Sequence, residues 1–190
     1  MLKKQKKTVL NSKIIKLLFF SPLLFLTPFF NNYGDLKAGL EFQWDSNPNY
    51  RQLKWLQKDD ERRARNTIFF FLRPRDRQNE LLKINLKLPK TFKSNLKEEN
   101  ISLCKVLIGG FEARTKCLDN ISADIEISED KKSIDIFPYS PIPSNKDSYA
   151  VVFKVFNPRR SGLYQFHSFG QYIGDNPASS YLGSYTIVID

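Results

Sequence analysis

From Thr67 to the end, the chain is written in short pieces that repeat every second residue. LLKINLKL at 81–88 alternates, which places Leu82, Ile84, Leu86 and Leu88 on one face and Lys83, Asn85 and Lys87 on the other. TIFFFLR at 67–73 is apolar on both faces and suits a strand buried on both sides. ISLCKVLIGGFEARTKCL at 101–118 reads as a hairpin around Gly109 and Gly110, and SADIEIS (122–128) with SIDIF (133–137) as another around SEDKK. PYSPIPSNKDS is too rich in proline for a ladder and reads as an extended connection. AVVFKVFN (150–157), GLYQFHSF (162–169) and YLGSYTIVID (181–190) close the chain as strands. Parallel strands need crossovers of a dozen or more residues, and no helical run of that length separates these segments. The expected fold is mostly β: an antiparallel immunoglobulin-like sandwich of seven or eight strands, with a small β-barrel as the alternative.

Two local expectations complete this scheme. RPRDRQNE supplies Pro, Asp and Asn between 67–73 and 81–88, so those strands are expected to pair as a hairpin with a basic tip. Upstream, Tyr50, Leu53 and Leu56 or Trp55 stand at helical spacing among charges. Residues 39–66 are therefore expected to form a helical or irregular segment packed on a sandwich domain of 67–190.

The first 38 residues have a different grammar. MLKKQKKTVLNSKIIK carries six lysines and no acid, and LLFFSPLLFLTPFF follows from Leu17 to Phe30. That is the charged-then-apolar order of a secretory signal. The apolar run, broken by Pro22 and Pro28, falls short of the roughly 20 residues of a membrane span. Cleavage after Ala38 is the expectation and retention as an anchor the alternative; with cleavage, the product is free in the periplasm, on the outer surface or outside the cell.

Removing residues 1–38 takes away seven of the 30 basic residues and one of the 20 acidic ones. Residues 39–190 then hold 23 basic and 19 acidic groups, so most of the apparent basicity is targeting. What remains is uneven, because residues 51–90 hold 12 basic and five acidic groups. RRAR at 62–65 and RPRDR at 73–77 flank TIFFFL and place arginines at both ends of one strand. Arg62, Arg63, Arg65, Arg73, Arg75 and Arg77 are thus the candidate contact for an anionic glycan, a lipid headgroup or an acidic partner. Export disfavours nucleic acid as that partner.

Cys104 and Cys117 are the two cysteines, and in an exported chain they are expected to pair. A two-residue Gly-Gly turn puts Cys104 opposite Thr115, so the disulfide calls for a longer loop or a bulge. Their spacing does not suit zinc, and no metal site or cofactor is expected.

His167 is the one histidine. In a strand starting at Leu163, Tyr164 and Phe166 form the core face, which turns His167 outward beside Gln165. Asp124 and Glu126 alternate near Glu129, Asp130 and Asp135 and read as a polar face. A small periplasmic hydrolase using these carboxylates or His167 is the alternative to a non-catalytic module.

Four stretches, ARNTIFFFLRP (64–74), SPIPSNKDSYAVVF (140–153), NPRRSGLYQFH (157–167) and IGDNPASSYLGSY (173–185), carry a resemblance. They are similar to a cyanobacterial secreted family catalogued only as a domain of unknown function, with a terminal NP…GxYxF…YLG signature. The resemblance covers nearly all of residues 39–190 and implies export and a β-rich fold; it supplies no catalytic residues. The expected function is an exported, non-catalytic binding or structural module of the cell envelope.

Overall fold

Phe70 marks the centre of the computed structural model, which describes residues 51–174 and 178–190. Its ring lies 5.0 Å from those of Phe153 and Phe166 and 4.7 Å from that of Tyr185, in edge-on and tilted arrangements. These residues come from two sheets. Ten strands run in chain order: β1 (Trp55–Gln57), β2 (Arg65–Leu72), β3 (Leu81–Lys87), β4 (Ile101–Leu107), β5 (Lys116–Ile121), β6 (Ala123–Ile127), β7 (Ser133–Pro138), β8 (Tyr149–Phe156), β9 (Gly162–Tyr172) and β10 (Ser180–Ile189). One sheet has the order β1-β2-β8-β4-β5 and the other β10-β9-β3-β7-β6, with every named pairing antiparallel. This is the expected sandwich.

The core follows from strand phase. Ile68, Phe70 and Leu72 of β2 face Tyr164, Phe166, Tyr185 and Ile187 of the second sheet, all essentially buried. Phe69 and Phe71 point the other way and form a second buried cluster with Cys104, Val106, Ala150 and Val152. The two-faced burial expected for 67–73 is therefore present. Burial of side chains of this size contributes roughly 2 kcal/mol each.

Both side edges are bridged. Residues 51–57 cross from one sheet to the other: Ser184 of β10 bonds Arg51 and Leu53 through its backbone at 2.8 Å each, and β1 then pairs with β2. Gly183 permits this crossing. A Cβ there would meet the Arg51 carbonyl oxygen and Leu53 Cγ at 2.6 Å, and its φ is +146°. At the opposite edge, only Ser122 separates β5 in the first sheet from β6 in the second.

Three local expectations are corrected. The helical spacing around Leu53 is not used over residues 51–66, because Leu53 packs into the core and Trp55–Gln57 pairs as a strand; residues 1–50, with the expected signal, lie outside the described residues. β2 and β3 are not a hairpin, since they belong to different sheets. The cause is the corner at Pro74–Asp76. Buried Asp76 accepts from Arg73 N at 2.9 Å, Arg73 Nε at 2.8 Å and Arg51 Nη2 at 3.1 Å, which turns the chain across the sandwich. On β3 the inward residue is Leu81 and not Leu82, because the register with β9 shifts between Leu81 and Lys83.

The cysteines are joined as expected. Cys104 pairs with Asn120 and Val106 with Cys117, so a bulge between them brings the sulfurs together, above a loop that runs through residues 108–115.

Candidate functional site

The loop between β3 and β4 has polar residues on an aromatic anchor. Phe92 is buried, with its ring 5.5 Å from Tyr164 and 4.9 Å from Phe166, both edge-on. With Phe92 held in the core, its neighbours Lys90, Thr91 and Lys93 remain exposed. Ser94 Oγ donates to the Phe156 carbonyl at 2.8 Å and ties this loop to the end of β8. The turn after β8 is fixed in its turn by Tyr164 OH, which donates to the Arg160 carbonyl at 2.6 Å. Burial raises the Tyr164 pKa above its ordinary value, so the phenol keeps the proton that makes this bond.

These ties bring together cations that lie about 70 residues apart in sequence. Lys90, Thr91 and Lys93 on one side and Pro158, Arg159 and Arg160 on the other line an open hollow of about 540 Å³. A second hollow of about 370 Å³ adjoins it, shares Lys90 and Lys93, and is closed by Asp130, Lys131 and Lys132. The Leu88 N–H donates to the Lys132 carbonyl at 2.8 Å and keeps the two loops side by side.

Asp130 is the acid in this lining, and it is spoken for. Its carboxylate accepts from Ser128 Oγ at 2.7 Å and from Lys132 N at 3.0 Å, and its other oxygen lies 3.0 Å from Lys132 Nζ. The Ser128 hydroxyl, with Lys132, lowers its pKa to about 2. Among the described residues, Lys90, Lys93, Lys131, Arg159 and Arg160 form no ion pair. Five unpaired cations around two hollows attract multivalent anions and can bond their oxygens directly.

The six arginines read from the sequence divide between the two ends of β2, about 23 Å apart for eight residues at roughly 3.3 Å each. Arg62, Arg63 and Arg65 are exposed at the end that carries the hollows. Arg62 donates through its backbone N and Nε to the Asp190 carbonyl at 3.1 Å, and Arg63 N donates to the Pro158 carbonyl at 3.4 Å. Asp59, Asp60 and Glu61 share that loop and offset part of its charge. Arg73, Arg75 and Arg77 lie at the far end. Arg73 is held by Asp76, and Arg77 is buried, donating to the carbonyls of Leu72 at 2.6 Å, Asp147 at 3.0 Å and Asn145 at 3.3 Å. Desolvation lowers the Arg77 pKa, and its guanidinium stacks 4.7 Å from the centre of the Tyr149 ring. Arg75 is exposed, and alone of these three its side chain makes no such bond among the described residues. Sequence reading passed over Lys90, Lys93, Lys131, Arg159 and Arg160, whose sole signal was the basic pair within NPRRSG.

His167 does not stand as an isolated strand residue. Its Nδ1 lies 2.7 Å from Ser184 Oγ, which also lies 2.6 Å from Tyr181 OH. Ser184 is fully buried, so this hydroxyl is enclosed between two partners. The strand phase itself is as expected, with Tyr164 and Phe166 inward. Asp124 and Glu126 are exposed on β6; Asp124 accepts from Tyr139 OH at 2.8 Å, and Asp135 accepts from Asn85 Nδ2 at 2.7 Å. Among the described residues, no three His, Cys, Asp or Glu side chains gather as a metal site. No helix among them is long and apolar enough to cross a membrane.

Residues 42–189 match the model of a family described as "Protein of unknown function (DUF2808)". No curated protein matches the sequence. Among solved structures, BslA, a bacterial hydrophobin, is 12% identical with a TM-score of 0.45, over 73% of this chain and 91% of that one. The collagen-binding domain of a Staphylococcus aureus adhesin is 11% identical with a TM-score of 0.40, over 72% and 95%. An uncharacterized Nocardia farcinica protein with an immunoglobulin-like fold is 8% identical with a TM-score of 0.38, over 73% and 97%.

Proposed function

We propose that this chain, which belongs to the family described as Protein of unknown function (DUF2808), is an exported, non-catalytic envelope module that binds an anionic polysaccharide. The observation that carries the reading is the convergence of Lys90, Lys93, Arg159 and Arg160 on one hollow without a carboxylate partner. Lys131 extends the same field into the adjoining hollow, and Arg62, Arg63 and Arg65 stand at the same end of the sandwich. Sulfate, phosphate or carboxylate groups spaced along a polymer engage such a row of cations several at a time, which raises avidity without a deep pocket.

Export is supported by the lysine-then-apolar order of residues 1–38 and by the Cys104–Cys117 disulfide, which persists in an oxidising compartment. The NP…GxYxF…YLG stretch, read as the family signature, has structural work that fits a binding scaffold. Asn157 and Tyr164 set the turn that presents Arg159 and Arg160, and Gly183 admits the crossing segment. The non-catalytic reading rests on the enclosure of Ser184 Oγ between His167 and Tyr181 and on the exposure of Asp124 and Glu126 on β6, where Asp124 is bonded by Tyr139 and the facing Asp135 by Asn85 and Lys83.

Chromatography on immobilised dextran sulfate, with neutral dextran as the control, tests the reading. The protein is expected to be retained on the sulfated matrix alone and released by salt. Replacing Lys93, Arg159 and Arg160 by Ser is expected to bring elution to markedly lower salt; an unchanged elution position refutes the assignment.

A further inference from the structure

At the end of the sandwich opposite the basic hollows, the loop from β4 to β5 lifts Phe111 wholly into solvent. No other large apolar side chain among the described residues is as exposed; the next, Tyr139 and Phe156, are 70% and 60% exposed against full exposure for Phe111. The loop that carries it is braced. Gly109 N donates to Thr115 Oγ1 at 2.9 Å, Gly110 N donates to the Ala113 carbonyl at 2.9 Å, and the Cys104–Cys117 disulfide crosses its base. A phenyl ring left in water by a floppy loop would be unremarkable. Here the ring is held out on a stapled hairpin, with Leu107 and Leu118 also partly exposed on its two legs.

The surroundings are cationic. Arg114 and Lys116 follow Phe111 on the same hairpin and are exposed. The Lys105–Asp147 bridge at 2.9 Å and the bond from Val106 N to the Ser148 carbonyl seat the 144–148 connection beside the hairpin, bringing exposed Lys146 to this end. Arg77 then bonds that connection to the 73–77 corner, which adds exposed Arg75. Arg75, Arg114, Lys116 and Lys146 form no ion pair among the described residues, against exposed Glu112 and Asp119 on the hairpin.

We propose that this hairpin tip is a wedge that seats in the interfacial layer of an anionic lipid bilayer, with Phe111 among the acyl chains and Arg75, Arg114, Lys116 and Lys146 against the headgroups. An aromatic ring gains from transfer into that layer, and juxtaposed lysines and arginines gain from the negative surface. Neither contribution anchors a protein alone. A braced loop adds to both, because little conformational freedom is lost on insertion. The charge complement selects an anionic bilayer over an apolar pocket in a protein. This inference concerns the opposite end of the molecule from the hollows and does not depend on them.

The test uses the full chain carrying Phe111→Trp and vesicles whose acyl chains carry bromine, which quenches an indole only within the bilayer. Subtracting the signal of the unsubstituted chain, which has Trp44 and Trp55, isolates position 111. With equal parts phosphatidylglycerol and phosphatidylcholine, the difference emission is expected to be quenched about twofold or more, and Arg114→Glu with Lys116→Glu to remove most of that quenching. Arg159→Ser with Arg160→Ser is expected to leave it in place. A difference signal that stays unquenched with both anionic and pure phosphatidylcholine vesicles overturns the proposal. So does quenching that survives the charge reversals and disappears with the substitutions at the opposite end.

Discussion

Asn66 Nδ2 donates to Asn157 Oδ1 at 2.9 Å, and both amides are buried. Each amide also reaches the backbone of the neighbouring loop. Asn66 Oδ1 accepts from the backbone N–H groups of Lys58 and Asp59 at 3.1 Å, while Asn157 Nδ2 donates to the carbonyls of Glu61 at 2.8 Å and Asp59 at 3.2 Å. One amide pair therefore organises the whole 58–61 loop and the start of the 157–160 turn, which together frame the basic end.

Asn157→Ala leaves Asn66 Nδ2 and two carbonyls without these partners. At about 1–3 kcal/mol for a buried group left unsatisfied, the loss of stability is expected to reach about 3 kcal/mol. Urea denaturation measures it. A loss below about 1 kcal/mol would show that water replaces the amide and that the pair is not the organiser described.

Removing the disulfide acts on a different part of the fold. Cys104 and Cys117 are 13 residues apart in sequence, and closing a loop of that size in the unfolded chain is worth about 3 kcal/mol. Cys104→Ala with Cys117→Ala is expected to cost about that much by denaturant titration, and a thiol assay on the denatured unsubstituted protein to find no free thiol. In the lipid experiment the same double variant should weaken quenching at position 111, since it loosens the hairpin.

Much of this was legible in strand phase. The two-faced burial of 67–73 and the inward placement of Tyr164 and Phe166 follow directly from period two and apolar content. The turn corner was not. Asp76 reads in sequence as one more turn acid within RPRDR, and it takes the folded chain to bring Arg51 onto the same carboxylate and send β2 and β3 to different sheets. The basic hollow was hidden for a related reason, because Lys90 and Lys93 meet Arg159 and Arg160 through Phe92, Ser94 and Tyr164, none of which carries charge. His167 lost its apparent isolation through Ser184, its partner on the neighbouring strand. Pairing across strands is invisible to a reading made one strand at a time.

Tyr185 gives a prediction for alkaline pH. Its hydroxyl donates to the Phe71 carbonyl at 2.9 Å, and complete burial raises its pKa far above the ordinary 10.0. The folded state thus holds the proton where the unfolded chain releases it. Stability is fully present below pH 10 and falls as pH rises beyond it, by about 1.4 kcal/mol per pH unit for this one proton. Tyr185→Phe is expected to cost about 1–2 kcal/mol at neutral pH through the lost hydrogen bond and to make the alkaline decline shallower. Denaturation curves from neutral pH upward check both, and equal slopes in the two proteins would contradict the assignment.

Asp130 gives the opposite sign at acid pH. Its pKa is lowered from 3.8 to about 2, so its bonds to Ser128 and Lys132 are intact above 3.8 and are lost as pH falls through about 2. It therefore opposes an incoming anion throughout neutral and mildly acidic conditions. Asp130→Asn is expected to strengthen binding of a sulfated oligosaccharide by roughly two- to fivefold, the size of one surface charge interaction. Weaker binding would show that the carboxylate is needed to hold the turn and not merely tolerated beside the site.

The measurement that bears most directly on the function is the salt dependence of binding to a fluorescent sulfated oligosaccharide, followed by anisotropy in the unsubstituted protein and in the variant with Ser at 93, 159 and 160. Each cation engaged by a linear polyanion contributes roughly 0.7–0.9 to the slope of log K against log salt, a relation established for nucleic acids and carried here to a sulfated chain. The slope is expected to fall by about 2 in the variant, with affinity reduced at least about tenfold, while Arg75→Ser leaves both unchanged. An unchanged slope and affinity in the triple variant would place the binding surface elsewhere and contradict the account.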